Sequence, residues 1–222
     1  DEGFAPIVED AYAVGGRVTS VFTSVYSTIG EQQTAALIKT IAEGLETFGN
    51  TFEFEQLLQL LEEQGNVGVS LANKLQPLVR SRLFTAGAEH SWERLYQDAV
   101  HRVNVLQLAG VPREISRMAT EFILWDLYDF ATNSGNKDTP LPIVLDEIQN
   151  LDHRLNSPLA KILTEGRKFG LSMILATQTL SNLHTEEKDR LFQASQKLFF
   201  KPAETEVREY ARILEHSTSE KS

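Results

Sequence analysis

Residues 142–178 read PIVLDEIQNLDHRLNSPLAKILTEGRKFGLSMILATQ, and this stretch decides the fold. Pro142-Ile143-Val144-Leu145 is a short apolar run that reads as a buried strand, and it ends in the acids Asp146-Glu147. Ser157 is placed to cap a helix over Pro158–Phe169, with Pro158 at its first position. Gly170 stops that helix. Leu171 to Thr177 is a second continuous apolar run, expected of a central parallel strand, and it is followed by Gln178. Strand, helix and strand in this order imply a parallel α/β unit.

The pattern extends in both directions. Val103–Leu108 alternates as a strand does, Lys197–Lys201 reads as a fourth strand, and Arg113–Ala131 as a long helix with Ile115, Met118, Ala119, Phe122, Ile123 and Leu127 on one face. Leu183–Ala194 and Glu204–Leu214 are expected helices, and Gly87–His90 a loop. Upstream, apolar spacing predicts helices over Val18–Ile29, Glu31–Phe48, Phe54–Glu63 and Val69–Leu83. Val14-Gly15-Gly16-Arg17 reads as a turn. Trp92 and Trp125 fall in helical patterns as packing residues. The expected architecture is α/β: a parallel sheet covered by helices on both faces, with an N-terminal helical insert over residues 1–100, a core over 101–216 and a tail over 217–222.

Composition narrows the function. The 222 residues are 41% hydrophobic and 23% charged, ordinary for a globular chain, and no apolar run approaches the ~20 residues of a membrane span. Cysteine is absent, which excludes disulfides and thiol catalysis and fits a cytoplasmic location. A net charge of −10 argues against a broad DNA-coating face, but not against a motor that touches DNA through a few loops. The chain opens Asp1-Glu2-Gly3 without Met, and is expected to be part of something longer.

In an open parallel sheet, ligands bind beyond the carboxyl ends of the strands, where Asp146-Glu147 and Gln178 fall. Two carboxylates there can take separate roles, with Asp146 holding the water shell of Mg²⁺ and Glu147 accepting a proton from an attacking water. The alternative is a strand that ends in solvated acids. Gln178 can bond a phosphate or the same water. Arg167 and Lys168 can meet phosphates, or simply complement the dipole of a helix end. The five His residues show no metal-ligand spacing and suit a solvated surface. His153 and Arg154 follow the acid pair closely. Residues 153–170 hold Arg154, Lys161, Arg167 and Lys168 against Glu165 alone, a candidate contact for DNA or for a neighbouring subunit's acidic face.

Taken together, an acid-ended strand, a helix running into Glu-Gly-Arg-Lys-Phe-Gly, and an apolar strand ending in Ala-Thr-Gln resemble the core of the HerA/FtsK group of P-loop ATPases. That group includes DNA pumps and the ATPases of conjugation and type IV secretion. The resemblance extends to Arg102–Gly110 and to Gly30-Glu31-Gln32-Gln33, but its specific part is residues 142–178. It implies a RecA-like (ASCE) core, ATP and Mg²⁺ as cofactors, DNA as the substrate of movement, and a ring-forming homo-oligomer, a hexamer in many such motors, working with other subunits of a DNA-processing complex in restriction, defence or repair. Carried over, Asp146 is the Mg²⁺ ligand through water, Glu147 the general base, Gln178 the sensor and Arg167 an arginine finger at a subunit boundary. The chain departs from the family in one large respect: no Gly-Lys pair occurs, so the phosphate-binding loop is absent. The resemblance puts the corresponding strand between Leu171–Thr177 and Lys197–Lys201, where Phe4–Val8 is a candidate substitute. Two rivals stand beside the motor: a non-catalytic assembly module, and an ATPase of the same fold that moves polypeptide.

Overall fold

The computed structural model describes residues 10–84, 91–97, 100, 103–194, 196–201, 204–208 and 210–211. The chain is mixed α/β and mostly helical. Four helices come first: α1 (Ala11–Val25), α2 (Glu31–Phe48), α3 (Phe54–Glu62) and α4 (Gly65–Ser81). A short α5 (Trp92–Gln97) and the long α6 (Arg113–Ser134) follow, then β1 (Leu141–Leu145), α7 (Pro158–Glu165), β2 (Leu171–Leu175) and α8 (Thr185–Phe192).

Local chemistry sets several of these bounds. At α2 the Gly30 N–H finds the Gln33 side chain, and at α3 the Glu53 N–H finds Gln56 Oε1 at 2.7 Å. Each bond closes one of the donors that a helix start leaves unpaired. Ser157 Oγ accepts the Ala160 N–H at 3.1 Å, with Pro158 at the first helical position, as expected. Past α7 the chain tightens into a 3₁₀ turn over Gly166–Phe169 and stops at Gly170, whose φ of 82° is left-handed.

α6 is the spine. Its Ile115, Met118 and Trp125 join Phe22, Leu37, Leu57, Leu61, Leu71, Leu75 and Leu78 in one apolar core beneath the first four helices. Its Leu124, Leu127 and Ala131 join Ile162 and Leu171 in a second core beneath the sheet. Trp125 is buried, and Trp92 donates to Asp126 of α6 at 2.6 Å.

The sheet is smaller than the sequence led us to expect. β1 and β2 pair in parallel, Leu141 opposite Leu171 through Leu145 opposite Leu175. Among the described residues they form a two-stranded sheet. Residues 103–108 and 196–201 lie outside it, with Val103, Val105, Leu198 and Phe200 largely exposed. Alternation marks a segment fit to be a strand, but a strand exists only where a neighbour's N–H and C=O groups meet it. The expected cover on both faces is also absent among the described residues. Leu141, Ile143, Leu145 and Met173 face the second core, whereas Val144 (70% exposed) and Ile174 (64%), directly opposite each other, face out bare.

Val14–Arg17 is not a turn but part of α1. Gly15 is there for contact: a Cβ on it would sit 2.7 Å from the Ile38 carbonyl oxygen of α2, so the missing side chain lets the two helices close together. Phe4–Val8, Gly87–His90 and, of the expected helix Glu204–Leu214, residues 209 and 212–214 lie outside the described residues. Among the described residues no helix is long and apolar enough to cross a membrane.

Candidate functional site

β1 and β2 run side by side and deliver their carboxyl ends together. The pairing continues past the strands: the Ala176 N–H donates to the Leu145 carbonyl at 2.8 Å, and the Ile148 N–H to the Ala176 carbonyl at 3.1 Å. These two bonds clamp the acid pair against the Thr177-Gln178 end. Thr177 Oγ1 lies 2.8 Å from both Gln149 Oε1 and the Thr179 carbonyl oxygen, and its single hydroxyl proton serves one or the other, which fixes the second loop to the first.

Within this clamp Glu147 is left-handed, at φ 54° and ψ 41°. A non-glycine residue held there costs on the order of 1–3 kcal/mol and persists only where its surroundings impose it. Asp146 Oδ1 accepts the Glu147 N–H at 2.8 Å, and a 3₁₀ turn over Ile148–Asn150 follows. The result aims the Glu147 carboxylate across the sheet end. Gln178 Nε2 donates to its Oε1 at 2.6 Å, and Asn150 Nδ2 to its Oε2 at 3.1 Å. Arg113, the first residue of α6, donates to Asn150 Oδ1 at 2.5 Å. Asp146, Glu147 and Gln178 are not buried, and water reaches this end of the sheet.

The loop rests on a buried polar group. Glu121 of α6 is 1% exposed, and its Oε1 accepts the Asp152 N–H at 2.6 Å. Its pKa is pushed up to about 7, chiefly by burial; the Asp152 charge pushes the same way, while the Asp152 N–H and the charges of Arg117 and Arg154 oppose it. Asp152 in turn holds Arg154 through both carboxylate oxygens at 2.7–2.9 Å, and Arg154 reaches on to the Ser20 carbonyl of α1 at 2.9 Å.

The remaining candidates separate. His153 is not a surface residue: it is 7% exposed, its Nε2 lies 2.7 Å from the Ile148 carbonyl oxygen, and its own carbonyl takes a bond from Arg190 of α8. Its ring braces the acid loop from inside. The Arg154 guanidinium is occupied by Asp152 and Ser20. Arg167 and Lys168 are exposed on the 3₁₀ turn that precedes β2, and Lys161 is half-buried on α7. Five strand residues, roughly 17 Å, separate that turn from the Gln178 end, so Arg167 does not meet Glu147 within one chain.

Asn150, Arg113, Glu121 and Asp152 do not stand out in the sequence as site residues. Two of them carry a signal there. Asn150 stands three residues after Glu147, the spacing of one tight turn. Glu121 lies in the apolar row Met118–Leu124–Trp125 of α6, where an acid is out of place.

A single exposed carboxylate beside a second one suits Mg²⁺, which keeps most of its waters and takes one or two protein carboxylates plus phosphate oxygens. Among the described residues no group of three or more His, Asp or Glu could hold a metal ion by itself. A phosphate cradle does not fit these residues: the sequence has no Gly-Lys-Ser/Thr loop, so no step through bound nucleotide is derived from this chain alone. A cleft of about 520 Å³ between α1 and α2, lined among others by Tyr12, Thr23, Gly30 and Ile38, shares no residue with the acid loop. No protein-family model matches the chain, and no curated protein matches it.

Proposed function

We propose that this chain supplies the Walker B and sensor half of an ATP-driven DNA translocase or helicase of the HerA/FtsK type, with a RecA-like core that is completed by a phosphate-binding strand. The observation that carries the reading is the pairing of Glu147 with Gln178 across the ends of two adjacent parallel strands, with Glu147 held in a left-handed conformation. The open second edge of β2 among the described residues supports it, because that edge is where the phosphate-binding strand belongs in the resemblance. In this reading Glu147 takes the proton of the attacking water, Gln178 orients that carboxylate, and Asp146 holds the water shell of Mg²⁺. A phosphate loop on another segment would hold the ATP that this chemistry needs. DNA passes through a ring of copies, and Arg167 reaches the site of the next copy.

The test is ATP turnover by the complete motor that contains this chain, with and without duplex DNA. DNA-stimulated turnover that Glu147→Gln abolishes while nucleotide binding persists supports the reading. Near-normal turnover by Glu147→Gln removes Glu147 from the base role. Stimulation by polypeptide in place of DNA moves the chain to the secretion branch, and absence of any turnover makes it an assembly module.

A further inference from the structure

We infer that Arg113 and Asn150 are positioning residues for Glu147, forming a relay from the first turn of α6 to the carboxylate. The inference rests on the reading above, in which Glu147 is the general base. Its ground is the order of donors and acceptors. Arg113 has donors only, so it can meet Asn150 solely at Oδ1. With Oδ1 so engaged, the other end of the planar amide is Nδ2, and it is turned toward Glu147. An ionised carboxylate has acceptors only, and Glu147 Oε2 takes that Nδ2–H at 3.1 Å. Arg113 thus decides which way round the Asn150 amide sits. Asn150 and Gln178 together hold one oxygen each of Glu147.

The backbone supports the same assignment. The Asn150 N–H donates to the Glu147 carbonyl at 3.0 Å, so this one residue closes the turn and braces the side chain at its start. Arg113 stands 37 residues away in sequence, and it is fixed to α6, the spine of both cores. The relay therefore ties the angle of the Glu147 carboxylate to the helix that packs into both cores, not to the exposed loop that carries it. A freely turning Glu147 would sample many rotamers. Misplacement of a reacting group by about 1 Å can cost on the order of 10²-fold in rate.

The direct test needs no nucleotide. In the 222-residue chain, the Asn150 side-chain amide gives its own ¹H–¹⁵N resonances. Arg113→Ala should collapse them toward solvent-like positions with rapid hydrogen exchange, while backbone resonances of β1 and β2 stay in place. Arg113→Lys, which keeps a donor, should retain much of the wild-type position. Asn150→Asp keeps the shape but has no donor when ionised, and should broaden the Gln178 side-chain amide by freeing Glu147 at Oε2. If Arg113→Ala leaves the Asn150 amide unmoved, the relay is wrong. In the complete motor, Asn150→Ala and Arg113→Ala should each lower kcat ~10- to 100-fold with KM little changed, and the double variant should be no worse than Asn150→Ala alone. Additive losses overturn the relay. Wild-type turnover by both single variants beside a dead Glu147→Gln overturns the relay and leaves the base assignment standing. Turnover by Glu147→Gln overturns the base assignment, whatever the amide resonances show.

Discussion

Gln178 and Glu147 are 31 residues apart in sequence, yet Gln178 Nε2 lies 2.6 Å from Glu147 Oε1. Parallel pairing of β1 with β2 produces this meeting, because it brings both strand ends to one edge of the sheet. The pair is open to water, so it contributes little to stability; its effect is on where the carboxylate points.

Gln178→Ala should therefore leave the melting temperature of the chain within about a degree of wild type, since surface changes away from core features are usually within about 0.5 kcal/mol. On the proposed motor reading, the same change should lower the kcat of the complete ATPase, and Glu147→Gln should lower it further, by about 10²–10⁴-fold. Calorimetry beside steady-state kinetics checks both. A large drop in melting temperature for Gln178→Ala means that the pair holds the fold.

Glu121 makes stability depend on pH. Its folded pKa, about 7, lies above the ordinary 4.5, so the folded chain keeps a proton that the unfolded chain has released. This contribution is fully present below about pH 4.5 and is lost as pH rises through 7. At ~1.4 kcal/mol per pH unit, the loss amounts to about 3 kcal/mol. Glu121→Gln keeps an oxygen for the Asp152 N–H and carries no charge. The variant should match wild type near pH 4.5 and be more stable at about pH 8, as read from paired thermal melts. Parallel pH curves for the two proteins would show that Glu121 is not the titrating group.

Gly170→Ala should destabilise the sheet. The residue sits at φ 82°, and an added Cβ would meet the Asn136 carbonyl oxygen at 2.2 Å. The Gly170 carbonyl also accepts the Leu141 N–H at 2.8 Å, the bond that opens the β1–β2 ladder. A loss of about 2 kcal/mol or more in urea unfolding is expected from the left-handed backbone and the clash together. No measurable loss would mean that this turn relaxes without disturbing β1.

Arg167 should act between copies. It is exposed on the 3₁₀ turn at the end of β2 remote from Glu147. On the proposed motor reading, in which Arg167 is an arginine finger, Arg167→Ala should lose most turnover, since such a finger is worth about 10³–10⁵. Mixing it with Glu147→Gln copies should restore part of the activity, because some interfaces then pair an intact Arg167 with an intact Glu147. Mixtures as inactive as their components would place Arg167 in its own chain's site or in structure alone.

The helix–strand order of residues 113–175 was legible because each signal was local. Ser157-Pro158 starts a helix and Gly170 ends one through backbone requirements that no distant residue alters. The bounds of α2 agree with the apolar spacing over Glu31–Phe48 for the same reason. The acid pair and Gln178 were legible as strand-end residues, and their contact followed from parallel pairing.

Tertiary structure decided the rest. Val103–Leu108 has the alternation of a strand, but a ladder depends on a partner that the segment's own residues do not specify. Val14–Arg17 has the glycines of a turn, but packing against Ile38 makes them part of a helix. His153 has the composition of a surface site, yet Arg190 and the Ile148 carbonyl enclose it. Glu121 is one acid among 31 Asp and Glu residues, and its burial in the fold, chiefly, pushes its pKa up to about 7. Sequence by itself determined α2 and the order of elements over residues 113–175, because propensity, capping and turn chemistry act within a few residues. Only the tertiary structure decided which polar groups are enclosed and which way the Glu147 carboxylate points, because burial and hydrogen-bond partners come from chain segments far apart in sequence.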